Sequence, residues 1–331
     1  MAERIWNMKE QINSKKIIQT IFRDYLVLAA IALLVIVTSI VEPKFLTAGN
    51  MTNIMRQFGP LIMVALGMTF VIIGGFIDLS VSGILSLVAV VTISLIEPLG
   101  QVGALIVGLC LGAFCGYLNS VLILACGAMK QAEALFITYG MSTVYGAFAL
   151  IYSGGRTKQM SWIKADTSIF KAIGTGTVGF LSVSFIMFLV CLLILYIFQN
   201  KTYMGRTIYL TGGNKTAAEL AGIPIKRSIT LIYTISGLMT ALGAIVLFSR
   251  VTAASPVLGK GYETNAILAV VVGGTTLIGG NGSVLRTVLG TTLVILLSNC
   301  MNLLGVSVYM QYMMRGAILV LAIWLDSRKE L

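Results

Sequence analysis

The chain has 331 residues, of which 57% are hydrophobic and only 11% charged, with a mean hydropathy of +0.96. A soluble domain carries roughly 25% charged residues, so a water-soluble globule is excluded. The net charge of +11 is spread over tails and loops between apolar runs, the pattern of membrane topology rather than of nucleic-acid binding. Histidine is absent, which removes the commonest general base and a common metal ligand.

Residues 1–24 are polar and basic, with Ile5, Met8 and Ile12 at helical spacing. They form a cytoplasmic segment that is either an amphipathic surface helix or a frayed tail, and they lack the cleavage site of a signal peptide. Residues 25–326 make one transmembrane domain, and 327–331 a short cytoplasmic tail. Ten apolar segments are expected: 25–41, 52–74, 80–96, 102–126, 133–152, 181–199, 229–249, 263–279, 284–304 and 306–325. Glu42-Pro43 and Glu97-Pro98 end two of them. An even number puts both termini on one side. That side, with 205–228, carries about twice as many lysines and arginines as the other, which makes it cytoplasmic. The fold expected is an all-α polytopic bundle of about ten transmembrane helices, embedded in lipid.

Glycines recur inside the segments, as at Gly103, Gly108, Gly112 and Gly116, or Gly237 and Gly243. Close helix packing is the plain reading. Two places differ. Val71-Ile-Ile-Gly-Gly75 runs into Phe76-Ile-Asp78-Leu-Ser80, and Val270-Val-Val-Gly-Gly274 runs into Thr275 and Gly279-Gly-Asn-Gly-Ser283. Paired glycine interruptions in two halves of a transporter point to broken helices that line a path. Gly74, Gly75, Asp78, Ser80, Asn119, Thr138, Gly273, Gly274 and Thr275 are the candidate path or gate residues. A charge in hydrocarbon costs about 2.5–3.5 kcal/mol. Asp78 is therefore either part of the gate or a structural hydrogen-bond hub, and Arg315 belongs to a buried pair or a dimer contact. Uncharged polar side chains are plentiful in the segments, which suits a neutral, hydroxyl-rich solute.

Between two apolar segments, 205–228 reads as a short helix with its own punctuation. Asn214 is a good N-cap, Gly222 suits the left-handed position after the last turn, and Pro224 follows. Two turns are too short to be stable alone, so this helix is expected to dock on a cytoplasmic partner. The sequence has no GxxxxGK[ST] phosphate loop, no HExxH and no GxSxG. The chain is thus expected to be no enzyme. Few intramembrane carboxylates are available as ion relays, which weighs against a carrier coupled to protons or ions.

From about residue 25 onward the chain resembles the permease subunits of bacterial ABC sugar importers of the ribose, xylose, arabinose and galactose type. The residues that carry the resemblance are Tyr209-Leu-Thr-Gly-Gly-Asn-Lys-Thr-Ala-Ala-Glu-Leu-Ala-Gly-Ile223, Ser236-Gly-Leu-Met-Thr-Ala-Leu-Gly243, Gly259-Lys-Gly-Tyr-Glu263, Ala269-Val-Val-Val-Gly-Gly-Thr275, Gly279-Gly-Asn-Gly-Ser-Val284 and Asn302-Leu-Leu-Gly-Val306, in that order. The resemblance implies an inward-pumping complex in the bacterial inner membrane. Its other parts are a cytoplasmic ATP-binding subunit that holds ATP and Mg, an extracytoplasmic solute-binding protein, and a second permease, identical or paralogous. No cofactor is expected in this chain. The resemblance assigns ATPase coupling to Gly212, Gly213, Asn214, Ala217, Ala218, Glu219, Leu220 and Gly222. Departures from the family pattern fall at the residues before Asp78, at Glu133-Ala134, at Asn265 and at Asn119-Ser120, and bear on which solute passes. A permease for branched-chain amino acids and an ATP-independent channel or carrier are the alternatives.

Overall fold

The computed structural model describes residues 27–327. The expected amphipathic segment 1–24 and the tail beyond 327 lie outside the described residues. The chain is mostly helical. Its long helices are α1 (Val27–Val41), α2 (Ala48–Ile73), α3 (Val81–Ala125), α4 (Gln131–Ser153), α6 (Val183–Lys201), α9 (Ile225–Val251), α11 (Val284–Leu303) and α12 (Val308–Ser327). Shorter ones are α5 (Ser168–Thr175), α7 (Tyr203–Gly213), α8 (Lys215–Leu220) and α10 (Tyr262–Val272). Among the described residues, six helices are long and apolar enough to cross a membrane: α2, α3, α4, α6, α9 and α11.

Helix α3 covers two of the expected segments. Unbroken, its 45 residues would reach roughly twice the hydrocarbon thickness of a bilayer. Gly100 breaks it, with φ 71° and ψ 171°, two residues after Pro98. The halves fold back on each other, and a Cβ on Gly108 would stand 2.2 Å from the Thr92 hydroxyl.

The centre is built by α2 and α9, with the second half of α3 pressed against α9. Glycine permits the approach, as the sequence pattern suggested. A Cβ on Gly116 would lie 2.1 Å from the Tyr233 carbonyl, and one on Gly237 would lie 2.2 Å from the Gly112 carbonyl. Ile62, Val64, Leu66 and Ile72 of α2, and Ala244 and Val246 of α9, are fully buried there.

Two expectations are corrected. The apolar run 263–279 is not one helix, because α10 stops at Val272 and 273–283 is irregular. The stretch 205–228, expected to hold one short helix, holds most of α7 as well as α8. Residues 154–182, between α4 and α6, carry structure of their own. They contain α5, strand β1 (Lys158–Gln159), paired antiparallel with β4 (Ala253–Ala254), and the hairpin of β2 (Thr177–Val178) with β3 (Leu181–Ser182).

Candidate functional site

Helices α2 and α10 end in the same way. At α2, the N–H groups of Gly74, Gly75 and Phe76 donate to the carbonyls of Phe70, Ile72 and Val71 at 2.9, 2.9 and 3.0 Å. At α10, those of Gly273, Gly274 and Thr275 donate to Ala269, Val271 and Val270 at 3.0, 2.8 and 3.2 Å. Gly75 and Gly274 take the left-handed conformation, with φ 77° and 93°. This is the Schellman cap, which satisfies the last carbonyls of a helix and turns the chain sharply away. The Gly-Gly pairs therefore mark two helix breaks of one kind, each followed by an irregular segment and a new helix.

The two breaks touch. The Gly280 N–H donates to the Ile73 carbonyl at 2.8 Å. The last turn of α7 is wedged against the pair. A Cβ on Gly212 would fall 1.8 Å from the Ile73 carbonyl oxygen and 2.7 Å from the Gly280 nitrogen. A Cβ on Gly279 would fall 2.7 Å from Gly75 Cα, and one on Gly280 would fall 2.7 Å from Gly213 Cα. Three backbones meet here without side chains between them, which only glycine allows.

Helix α8 grows from this junction. The Asn214 side chain caps it by accepting from the Ala217 N–H at 3.0 Å, and Gly222 follows its end with φ 75°. Ala218 is buried against the chain, while Ala217 and Glu219 face outward and Leu220 is 86% exposed. Lys215 at its start leans inward. Its ammonium lies 3.8 Å from the centre of the Phe76 ring and donates to the Met129 carbonyl. Burial pulls the Lys215 pKa below its ordinary 10.5, and the charge of Glu133 works in the opposite direction.

Each break is tied to the wall by polar groups. At the first, the Tyr145 hydroxyl donates, shared between Asn119 Oδ1 and the Cys115 carbonyl, both at 2.9 Å. Asn119 Nδ2 donates to Ser80 Oγ at 2.7 Å. Ser80 donates through its hydroxyl and its N–H to Asp78 Oδ1, at 2.5 and 3.0 Å. Ser236 of α9 donates to the other oxygen, Oδ2, at 2.8 Å. Asp78, Ser80, Asn119, Thr138 and Ser236 are all fully buried. Thr138 accepts from the Leu79 N–H at 3.1 Å. At the second break, Gln199 of α6 accepts from the Val284 N–H at 3.1 Å, and Tyr209 of α7 donates to the Gly282 carbonyl at 2.6 Å. Gln131 of α4 donates to the Leu277 carbonyl at 2.7 Å.

The structure thus gathers the predicted residues into one assembly. Gly74 and Gly75 stand at the first break, with Asp78, Ser80, Asn119 and Thr138 in the network behind it. Gly273, Gly274 and Thr275 stand at the second. Gly212, Gly213 and Asn214 join both breaks to the helix that carries Ala217, Ala218, Glu219 and Leu220. Thr275 is buried, and its hydroxyl has no protein partner. Sequence reasoning missed Ile73, Gln199, Tyr145 and Ser236 as members. A lone glutamine at the end of an apolar run reads as an interfacial residue, and nothing local marks it otherwise.

Known proteins are similar in sequence to most of this chain. The ribose import permease protein of Bacillus subtilis (strain 168) is 38% identical over 300 residues, covering 90% of this chain and 91% of the relative. The fructose import permease protein of Rhizobium meliloti is 33% identical, covering 90% of this chain and 85% of its own length. The D-allose transport system permease protein of Escherichia coli (strain K12) is 31% identical, covering 89% of both chains. No solved structure matches the chain significantly. The model of the family described as branched-chain amino acid transport system, permease component, matches residues 50–323, and with six apolar spans beside that match the chain is a multi-pass membrane protein belonging to this family of permease components.

Proposed function

We propose that this chain is the membrane-spanning permease subunit of an ATP-driven importer, and that its solute is a monosaccharide or a similar neutral polyol. The observation that carries this reading is the seating of Gly212 between Ile73 and Gly280, which ties an exposed short helix to two helix breaks. A pump whose energy comes from another subunit needs such a link. The relatives named for ribose, fructose and allose favour a sugar over a branched-chain amino acid.

In this reading both termini, α7 and α8 are cytoplasmic, as the lysine and arginine bias requires, and the membrane is the bacterial inner membrane. The bundle makes ten passes, with the halves of α3 counted separately and the short α10 counted as one. The ATP-binding subunit, which holds ATP and Mg, grips the outward side of α8 at Ala217, Glu219 and Leu220. Ala218 faces the chain and holds α8 to it. When the ATP-binding subunits close, α8 moves, and Gly212 and Gly213 carry the displacement to both breaks at once. Gln199 and the Asp78 network fix where each broken segment is held, so the displacement opens a gap rather than dragging the bundle. A solute-binding protein delivers the sugar at the opposite end, and a second permease completes the path.

The test is reconstitution in liposomes with an ATP-binding subunit and a solute-binding protein encoded beside this chain. Sugar uptake that requires ATP and both partners is the expected result. Sugar flux through liposomes containing this chain alone would overturn the reading in favour of a channel.

A further inference from the structure

At the end of the bundle remote from α7 and α8 lies a polar cavity of about 210 Å³. It is bordered by the beginnings of α2, α10 and α12 and the ends of α9 and α11, and is lined by Gln57, Tyr262, Asn265 and Tyr312 and by three cations, Arg250, Lys260 and Arg315. A neighbouring groove of about 270 Å³ shares Asn265, Tyr312 and Arg315 and continues between α10 and α12 past Leu268 and Leu319.

Arg315 is held in place there. Its Nη2 donates to Ser298 Oγ at 3.0 Å. Gln311, within 3.5 Å of the same nitrogen, is itself fixed by donating to Asn302 Oδ1 at 2.8 Å and to the Val306 carbonyl at 3.0 Å. The guanidinium stands 5.9 Å from the Tyr312 ring. Arg315 Nε is buried and has no protein partner. The guanidinium is thus fixed at the wall of the cavity.

We infer that this cavity is a binding subsite of the permease for a neutral, hydroxyl-rich solute, with the Arg315 guanidinium as its fixed donor and Asn265 and Gln57 as its adaptable partners. A polyol presents several hydroxyl oxygens to which a guanidinium N–H can donate. Carboxamides donate and accept, as hydroxyls do. The faces of Tyr262 and Tyr312 suit the C–H side of a sugar ring. The apolar groove beyond offers no comparable donors, so a solute would leave it easily. The inference rests on the proposed transport of a sugar and deepens it by placing a stop within the permease.

Saturation-transfer NMR on the detergent-solubilised full chain, without partners, tests it with D-ribose, D-fructose, D-allose and D-ribonate as probes. The expected result is a millimolar signal for at least one neutral sugar. It weakens at least tenfold in Arg315→Lys, which keeps the charge but loses the planar group that Ser298 and Gln311 hold in place, and at least threefold in Asn265→Ala. Thermal melting of each variant within a few degrees of the parent shows that the fold is intact, and Gln57→Leu serves as a second variant should Arg315→Lys melt early. No signal from any neutral sugar, or signals that are unchanged in the variants, would overturn the subsite. So would binding of ribonate more than tenfold tighter than ribose, which would mark the site as one for anions. ATP-driven uptake by the full complex with no such signal would remove the subsite and leave the transport reading standing. A site-dependent signal with no ATP-driven uptake would do the reverse.

Discussion

The carbonyl of Ile73, in the last turn of α2, accepts a hydrogen bond from the N–H of Gly280 at 2.8 Å, across more than two hundred residues of sequence. Through this bond the segment after α2 and the segment after α10 lie against each other, and α7 closes over both. A buried backbone N–H without a partner is rare and costly, so Gly280 has reason to stay where Ile73 holds it.

Gly212 and Gly213 are neighbours with different surroundings. A Cβ on Gly212 would overlap the Ile73 carbonyl at 1.8 Å, whereas one on Gly213 would meet only Gly280 Cα, at 3.9 Å. Overpacking of this kind costs about 1–3 kcal/mol or more. Gly212→Ala is expected to lower the melting temperature clearly and Gly213→Ala to leave it within a degree or two, as followed by thermal unfolding in detergent.

Ser236 donates to a fully buried carboxyl group. Its removal leaves Asp78 Oδ2 short of a partner, at about 1–3 kcal/mol. Ser236→Ala should show that loss in denaturant or thermal unfolding, while Thr234→Ala, whose hydroxyl bonds only its own helix at the Thr230 carbonyl, should cost less. Equal costs would mean that the Asp78 network does not stabilise the first break.

Leu220 is 86% exposed and touches little of its own chain. Leu220→Asp is therefore expected to change stability by less than about 0.5 kcal/mol. If α8 is a docking helix, the same variant loses co-purification with the ATP-binding subunit. Retained assembly would place the docking surface elsewhere.

Lys215 binds protons less readily in the fold than its ordinary pKa of 10.5, because it is partly buried. Between the lowered value and 10.5 the unfolded chain holds more protons than the folded one, so this group makes stability rise with pH in that window. Lys215→Met should flatten the rise in melting temperature on the alkaline side. An unchanged slope would assign it to other groups.

Much of the bundle was legible because hydropathy reports what water rejects. The two Gly-Gly breaks were legible because a Schellman cap needs glycine at a position of positive φ, as did the limits of α8 at Asn214 and Gly222. The irregular stretch after the second break was not legible: Thr275-Thr-Leu-Ile is apolar enough to prolong the run 263–279, and composition does not distinguish helix from irregular chain. Helix α7 was missed because Thr207, Ile208, Tyr209 and Thr211 are β-branched or aromatic, poor helix formers by themselves. Its partners, Ile73 and Gly280, are remote in sequence. Arg315 offered two readings, a buried pair or a dimer contact. The structure puts its guanidinium 5.9 Å from the Tyr312 ring, held by Ser298 and Gln311 beside a cavity.

The claim that the junction carries the stroke is tested most directly by ATP hydrolysed per sugar imported, measured in proteoliposomes that contain Gly212→Ala or Gly213→Ala in the assembled complex. The account predicts that hydrolysis persists in both, and that import per ATP falls at least tenfold in Gly212→Ala alone. Equal import per ATP in the two variants would contradict it.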